Sequence, residues 1–262
     1  MVIPCIDMKI ILIGAGNLAT RLAVALQKKG MTPAYIYSRT RESAEQLSER
    51  LRDVPYSTDI SRVPTDGDLY IFAVKDSALL DLVSRMPSNR GLWVHTAGSM
   101  DMEVFAPYTA RYGVFYPMQT FSKERETDFD DIPIFVEANH TDDTERLQEL
   151  AGRLSTKVYE ATSEQRKYLH LAAVFACNFT NHLYALCDRI LSEHGLPFET
   201  MLPLIRETAA KVADMPPAQA QTGPAIRYDK NVIDKQMALL SDPIMRQIYD
   251  LMSRSIHETN KH

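Results

Sequence analysis

At 262 residues, 45% hydrophobic and 24% charged, the chain has the make-up of a soluble globular protein with room for one large domain or two ordinary ones. A net charge of -5 gives no support to nucleic-acid binding, and the longest strongly apolar run of the second half, residues 171–177, is far too short to span a bilayer. Residues 1–7 lack the charged start and extended apolar core of a secretory signal and read as an extension, while three scattered cysteines (Cys5, Cys177, Cys187) offer neither a disulfide framework nor metal-ligand spacing and fit a reducing cytoplasm.

The first element is Lys9-Ile10-Ile11-Leu12-Ile13, a β-branched apolar run too short for a helix and therefore a buried parallel strand. It enters Gly14-Ala15-Gly16-Asn17-Leu18-Ala19, a Gly-x-Gly-x-x-Ala turn. Gly14 permits the tight turn, Gly16 leaves a pyrophosphate unobstructed, and Ala19 lets the following helix pack close to the strand. The helix over residues 17–29, with Leu18, Leu22, Ala25 and Leu26 in phase and Gly30 at its end, offers free N–H groups and a partial positive charge to phosphates. Strand, turn and helix stand in the order that a dinucleotide site requires.

Ala34 to Ser38 is the second strand. An NAD-binding chain usually carries an acid at its end to hold the ribose 2′-OH; here Ser38-Arg39-Thr40-Arg41 stands instead, which suits a 2′-phosphate and points to NADP rather than NAD or a flavin. Arg39 and Arg41 as solvated residues opening the next helix is the plainer alternative. That helix covers about 41–52, and residues 55–59 are a short strand at best. Asp68 to Val74 is a stronger strand, ending in Ala73-Val74-Lys75 beside the expected crevice. Lys75 is placed for a phosphate or the substrate, and Asp76 or Ser77 is read as the cap of a helix near 77–86.

Leu92 to Ser99 forms the next strand and its exit loop, with His95 and Thr96 where nicotinamide contacts usually lie; His95 reads more readily as structural than catalytic. Residues 112–121 and 132–137 are two further strands around an exposed polar loop, 122–131. Within the first, Tyr116-Pro117-Met118-Gln119-Thr120-Phe121 places Gln119 and Thr120 beside aromatics. A helix over about 141–155 and a short strand at 157–160 complete the alternation.

From residue 163 onward only helices are expected: 163–192, 197–214, 230–240 and 243–258, with a break at Thr222-Gly223-Pro224, where Arg227 faces something polar. The change of pattern divides the chain into an extension at 1–7, a nucleotide-binding domain at 8–160 and a helical substrate or dimerisation domain at 161–262. The first helix of this part, roughly 45 Å long, is apolar on every face from Leu171 to Cys177 and is therefore expected to be buried on all sides. His170, Val174, Cys177 and Asn181 share one stripe, with Asn178 and His182 beside it. These polar groups need partners, either a substrate or other helices.

The first part resembles the Rossmann domain of the NADP-dependent reductases related to pyrroline-5-carboxylate reductase and to the deazaflavin-dependent NADP reductases. The residues that carry this are Gly14 to Ala19, Ser38-Arg39-Thr40 and Ala73-Val74-Lys75. With His95-Thr96-Ala97-Gly98, Tyr116 to Phe121, the helix around Asn178 and Thr222-Gly223-Pro224, the whole chain is similar to an uncharacterised bacterial family that joins this domain to a helical domain of unknown function. Related β-hydroxyacid dehydrogenases and ketopantoate reductases use a lysine with an asparagine one turn later; here Lys167 is followed by Leu171, and the inward positions hold His170 and Asn178.

The expected fold class is α/β: an N-terminal Rossmann, doubly wound, mostly parallel sheet followed by an all-α domain. The expected function is an NADP-dependent oxidoreductase, cytoplasmic and homodimeric, acting on a C=N or C=O bond of a small metabolite at the domain junction. Its cofactor site comprises Gly14, Gly16, Asn17, Leu18, Ser38, Arg39, Thr40, Ala73, Val74, Lys75, Thr96 and Gly98. His170 is the expected proton donor, with Asn178 orienting, and no metal is called for. The alternative is a non-catalytic NADP-binding protein whose helical domain is a dimerisation or partner surface.

Overall fold

The computed structural model describes residues 8–260, so the expected extension at 1–7 lies outside the described residues. The chain divides into two compact units after Cys177.

The first unit is an eight-stranded sheet in the order β3-β2-β1-β4-β5-β6-β7-β8. The strands are β1 (Ile10–Ile13), β2 (Tyr35–Tyr37), β3 (Tyr56–Ser57), β4 (Leu69–Phe72), β5 (Leu92–His95), β6 (Tyr112–Pro117), β7 (Ile134–Ala138) and β8 (Val158–Glu160). Every pair is parallel except β6 with β7. Helices α1 (Asn17–Lys28), α2 (Arg41–Arg50), α3 (Asp76–Arg85) and α4 (Thr141–Leu154) connect them, and α5 (Ser163–Ala173) follows β8. All four residues of β1 are buried because both of its faces are covered. Ile10 and Leu12 join Leu22 and Leu26 of α1 and Leu147 and Leu150 of α4 on one face, while Ile11 and Ile13 join Tyr70, Phe72 and Leu79 on the other. The direction of winding reverses between β1 and β4, where Ile13 pairs with Phe72, and a crevice opens beyond the carboxyl ends of these strands. The doubly wound, mostly parallel sheet is the architecture expected from the sequence.

Three local expectations are corrected. Strand β6 ends at Pro117 rather than continuing to 121. The following loop is not wholly exposed: Phe129 is buried and stacks on Phe121, with ring centroids 5.6 Å apart. Arg21 of α1 anchors the loop, donating from Nε to the Ser122 carbonyl at 2.8 Å and from its guanidinium to the Lys123 carbonyl. Neither Asp76 nor Ser77 caps α3. The helix begins at Asp76 after Lys75, and the Asp76 carboxylate accepts instead from the Ser99 hydroxyl.

The expected long helix is interrupted: α5 gives way to a π-helical turn at Val174–Phe179 before α6 (Thr180–Glu193). A turn closed by i→i+5 bonds rotates less per residue than an α-helix, so Asn181 leaves the azimuth of His170. Nor is the segment buried in the single chain. Leu171, Phe175 and Phe179 are more than half exposed, and Asn178, Asn181 and His182 are exposed as well. The helix is secured to the first unit by its opening turn, where Ser163 and Arg166 are buried.

The second unit continues through α7 (Leu202–Asp214), α8 (Pro217–Ala220), α9 (Lys230–Leu239) and α10 (Pro243–Thr259). Arg189 bridges to Asp242 at 2.8 Å, and Asp242 accepts from the amides of Ile244 and Met245 at the start of α10. The expected break falls at Gly223, which takes a φ of +101°; Arg227 is exposed, and the Ile226 carbonyl is 3.0 Å from His257 Nδ1.

Candidate functional site

Gly14 closes the β1 turn at a φ of +124°, and its amide donates to the Tyr37 carbonyl at 2.7 Å. A Cβ there would stand 2.3 Å from the Ala73 carbonyl oxygen, so only glycine lets the turn lie against the end of β4. Gly16 differs: it precedes α1 in extended backbone, and a Cβ on it would meet nothing within 4 Å. The first turn of α1 carries no acid, so the space before Gly16 faces unneutralised N–H groups.

This turn forms one wall of a cleft of about 560 Å³, which gathers Gly14, Gly16, Asn17, Ser38, Arg39, Thr40, Ala73, Val74 and Lys75, nine of the twelve expected cofactor residues. Ser38 is buried, and Arg39 and Thr40 are exposed at the start of α2. Residues not singled out in the sequence also line it, among them Thr58, Asp81, Arg85 and Lys123. Arg39, Lys75, Arg85 and Lys123 set four cations against the single carboxylate of Asp81, itself 3.2 Å from Arg85, so the cleft favours a multiply charged anion. Burial raises the Tyr37 hydroxyl above the ordinary tyrosine range, with Arg85 and Arg39 opposing and Asp81 adding to the shift. Asn17 donates to the Phe121 carbonyl at 3.1 Å, which ties the loop bearing Lys123 to the start of α1.

Leu18, Thr96 and Gly98 stand elsewhere. Leu18 packs against the core, and Thr96 is buried with its amide on the Phe72 carbonyl at 3.2 Å. Gly98 lies against His170: a Cβ on it would be 2.8 Å from His170 Nδ1. His95 is structural. It is fully buried, its Nδ1 accepts from the Ala97 amide at 3.2 Å, and its Nε2 faces the Asp101 carbonyl at 3.3 Å. Burial first, and the charge of Arg166 second, lower its pKa to about 4, so it holds the loop after β5 as a neutral ring.

That loop is fastened to α5 by Arg166, whose side chain is fully buried. Arg166 Nη1 donates to Glu137 Oε2 at 2.6 Å, and Nη2 to the Met100 carbonyl at 2.7 Å. Ser163 adds its amide and hydroxyl to the same carboxylate, and Thr162 with Gln165 forms a reciprocal cap. One turn beyond this anchor, exposed His170 lies with Nδ1 3.2 Å from the hydroxyl of buried Tyr116. Sequence reasoning flagged the Tyr116 segment but chose Gln119 and Thr120, which are exposed and bonded to each other. Asn178 opens the second unit. Among the described residues no helix is long and apolar enough to cross a membrane, and no three His, Cys, Asp or Glu side chains group to hold a metal.

Residues 3–118 match the Rossmann-like domain model, and residues 132–256 match a domain of unknown function, DUF2520. No curated protein sequence matches the chain. Among solved structures, the putative NADP oxidoreductase of Bacteroides fragilis is 53% identical, with 96% of this chain and 98% of that chain covered and a TM-score of 0.90. A reductive aminase of Aspergillus terreus, in complex with NADPH and ethyl-5-oxohexanoate, shares the fold at 16% identity, 97% and 95% coverage and a TM-score of 0.72. A pyrroline-5-carboxylate reductase of Coxiella burnetii does so at 15% identity, 97% and 98% coverage and a TM-score of 0.60. This chain belongs to the same family as the Bacteroides fragilis protein, a Rossmann-like domain followed by a DUF2520 domain.

Proposed function

We propose that the protein is an NADP-dependent oxidoreductase that reduces a C=N or C=O bond of a small metabolite. The observation that carries this reading is the cleft itself: the glycine cradle opens onto Ser38, Arg39 and Thr40, with four cations and one acid around it. The residues fit the group. The N–H groups at Gly16 and the start of α1 hold the pyrophosphate, and Arg39 with the Ser38 and Thr40 hydroxyls takes the 2′-phosphate. NADPH, when bound, supplies the hydride. The acceptor nitrogen or oxygen then needs a proton, and His170 delivers it. In this reading the nucleotide-binding domain covers residues 8–160 and the helical domain 161–262, and the protein works in the cytoplasm.

Calorimetry checks the cofactor: NADPH binds more tightly than NADH, and Arg39→Ala narrows the gap by about 1–3 kcal/mol, the usual scale of a charge-assisted contact. Equal affinities in the unmodified protein count against the assignment. Oxidation of NADPH with any member of a panel of imines, oxoacids and aldehydes tests the activity.

The reading includes a homodimer formed through the helical domain. Among the described residues of the second unit only Ala225, Ile233, Met245 and Ser253 are buried, while Leu204, Leu239 and Leu251 are more than 60% exposed. A unit this poor in core needs apolar cover from outside. Light scattering is expected to give twice the 29.7 kDa chain mass; a mass of one chain at every concentration overturns the dimer.

A further inference from the structure

We infer that Tyr116 is a positioning residue for His170: its hydroxyl donates to Nδ1 and holds the imidazole in the tautomer whose proton sits on Nε2. The catalytic consequence rests on the proposed role of His170, but the tautomer does not. The two side chains lie 54 positions apart in sequence, with Oη to Nδ1 at 3.2 Å and the rings near a T-shaped arrangement. The direction of the hydrogen bond follows from the surroundings of the phenol. Tyr116 is 8% exposed in a small apolar cluster with Val114, Phe135 and Ala161, against which Met118 and Leu169 pack. Those side chains offer the phenol proton no strong acceptor. Were Nδ1 protonated and donating to Oη, the phenol O–H would be left to find a second partner there, at the cost of an unmade buried bond. Burial also raises the Tyr116 pKa, so the hydroxyl keeps its proton through neutral pH.

The ring is held from other sides too. Gly98 leaves it room, since a Cβ would be 2.8–2.9 Å from Nδ1, Cγ and Cβ of His170, and Arg166 one turn earlier locks α5 to the loop bearing Gly98. With Nδ1 engaged as an acceptor, Nε2 is the nitrogen that carries an N–H toward a substrate atom, a distinction set by the partner of the other ring nitrogen; as that proton leaves, Nδ1 takes the Tyr116 hydroxyl proton, so the imidazole stays neutral and the phenol is reprotonated from solvent.

Long-range ¹H–¹⁵N spectra of the full-length protein read histidine tautomers directly. The His170 signals are assigned by their loss in His170→Gln. The unmodified protein is expected to show an unprotonated Nδ1 and a protonated Nε2 for His170. In Tyr116→Phe, which keeps the ring, the two ¹⁵N shifts move toward each other as the tautomers mix. A protonated Nδ1 in the unmodified protein overturns the proposal, as does a folded Tyr116→Phe whose His170 shifts are unchanged; the unmodified spectrum decides alone if that variant fails to fold. With a substrate in hand, Tyr116→Phe is expected to lose about tenfold or more in kcat with KM little changed. An unchanged kcat beside the expected spectra leaves the tautomer assignment standing and removes His170 from proton delivery.

Discussion

Gly14→Ala is expected to lower unfolding stability by more than about 3 kcal/mol and to abolish cofactor binding, whereas Gly16→Ala is expected to leave stability within about 1 kcal/mol and still weaken NADPH at least about tenfold. The two glycines are two residues apart in one turn and do different jobs. At Gly14 the backbone sits at a φ of +124°, and a methyl group would collide with the Ala73 carbonyl, part of the backbone leaving β4. Neither problem relaxes cheaply, because β1 and β4 are paired along their length. At Gly16 the φ is -79°, which alanine accepts, and the space is open. A methyl group there obstructs only a ligand. Chemical denaturation with calorimetry separates the two; a Gly16→Ala protein that binds NADPH normally would show that the pyrophosphate does not approach this turn.

Breaking the Arg166–Glu137 pair is the second large effect. Arg166→Met is expected to cost about 3–5 kcal/mol, because it leaves the Glu137 carboxylate, 15% exposed, without its countercharge. The Met100 and Ala97 carbonyls lose their donor as well, which releases the loop that carries Gly98. The double variant Arg166→Met with Glu137→Gln is expected to recover a substantial part of the loss, since no unpaired charge remains and Ser163 still bonds the side chain at position 137. Urea denaturation of the single and double variants checks this. Losses that simply add would mean that the two residues act independently. The same pair sets the direction in which α5 leaves the sheet, so the single variant is also expected to disturb the Tyr116–His170 contact.

Much of this was legible without the fold. The strand, Gly-x-Gly-x-x-Ala turn and helix at residues 9–29 are set by local rules of backbone freedom and apolar period, and the absence of an acid after β2 is a matter of residue type at a fixed distance from the glycines. Hence nine of the expected cofactor residues line one cleft. The anchoring of residues 121–123 by Asn17 and Arg21 was not legible, because those partners lie more than 100 positions apart.

Composition misled at residues 171–177. An all-round apolar helix implies burial, but it does not say against what; in the single chain Leu171 and Phe175 face outward, and a π-helical turn breaks the 100° stripe that had aligned His170 with Asn181. The chain by itself determined the alternation of strands and helices and the glycine turn that lines the cleft, because both follow from short-range patterns. Only the tertiary structure decided that Tyr116, on the sixth strand, meets His170, on the fifth helix. That contact depends on strand order, on the missing side chain at Gly98 and on a buried ion pair, Arg166 with Glu137, none of which leaves a periodic trace along the sequence.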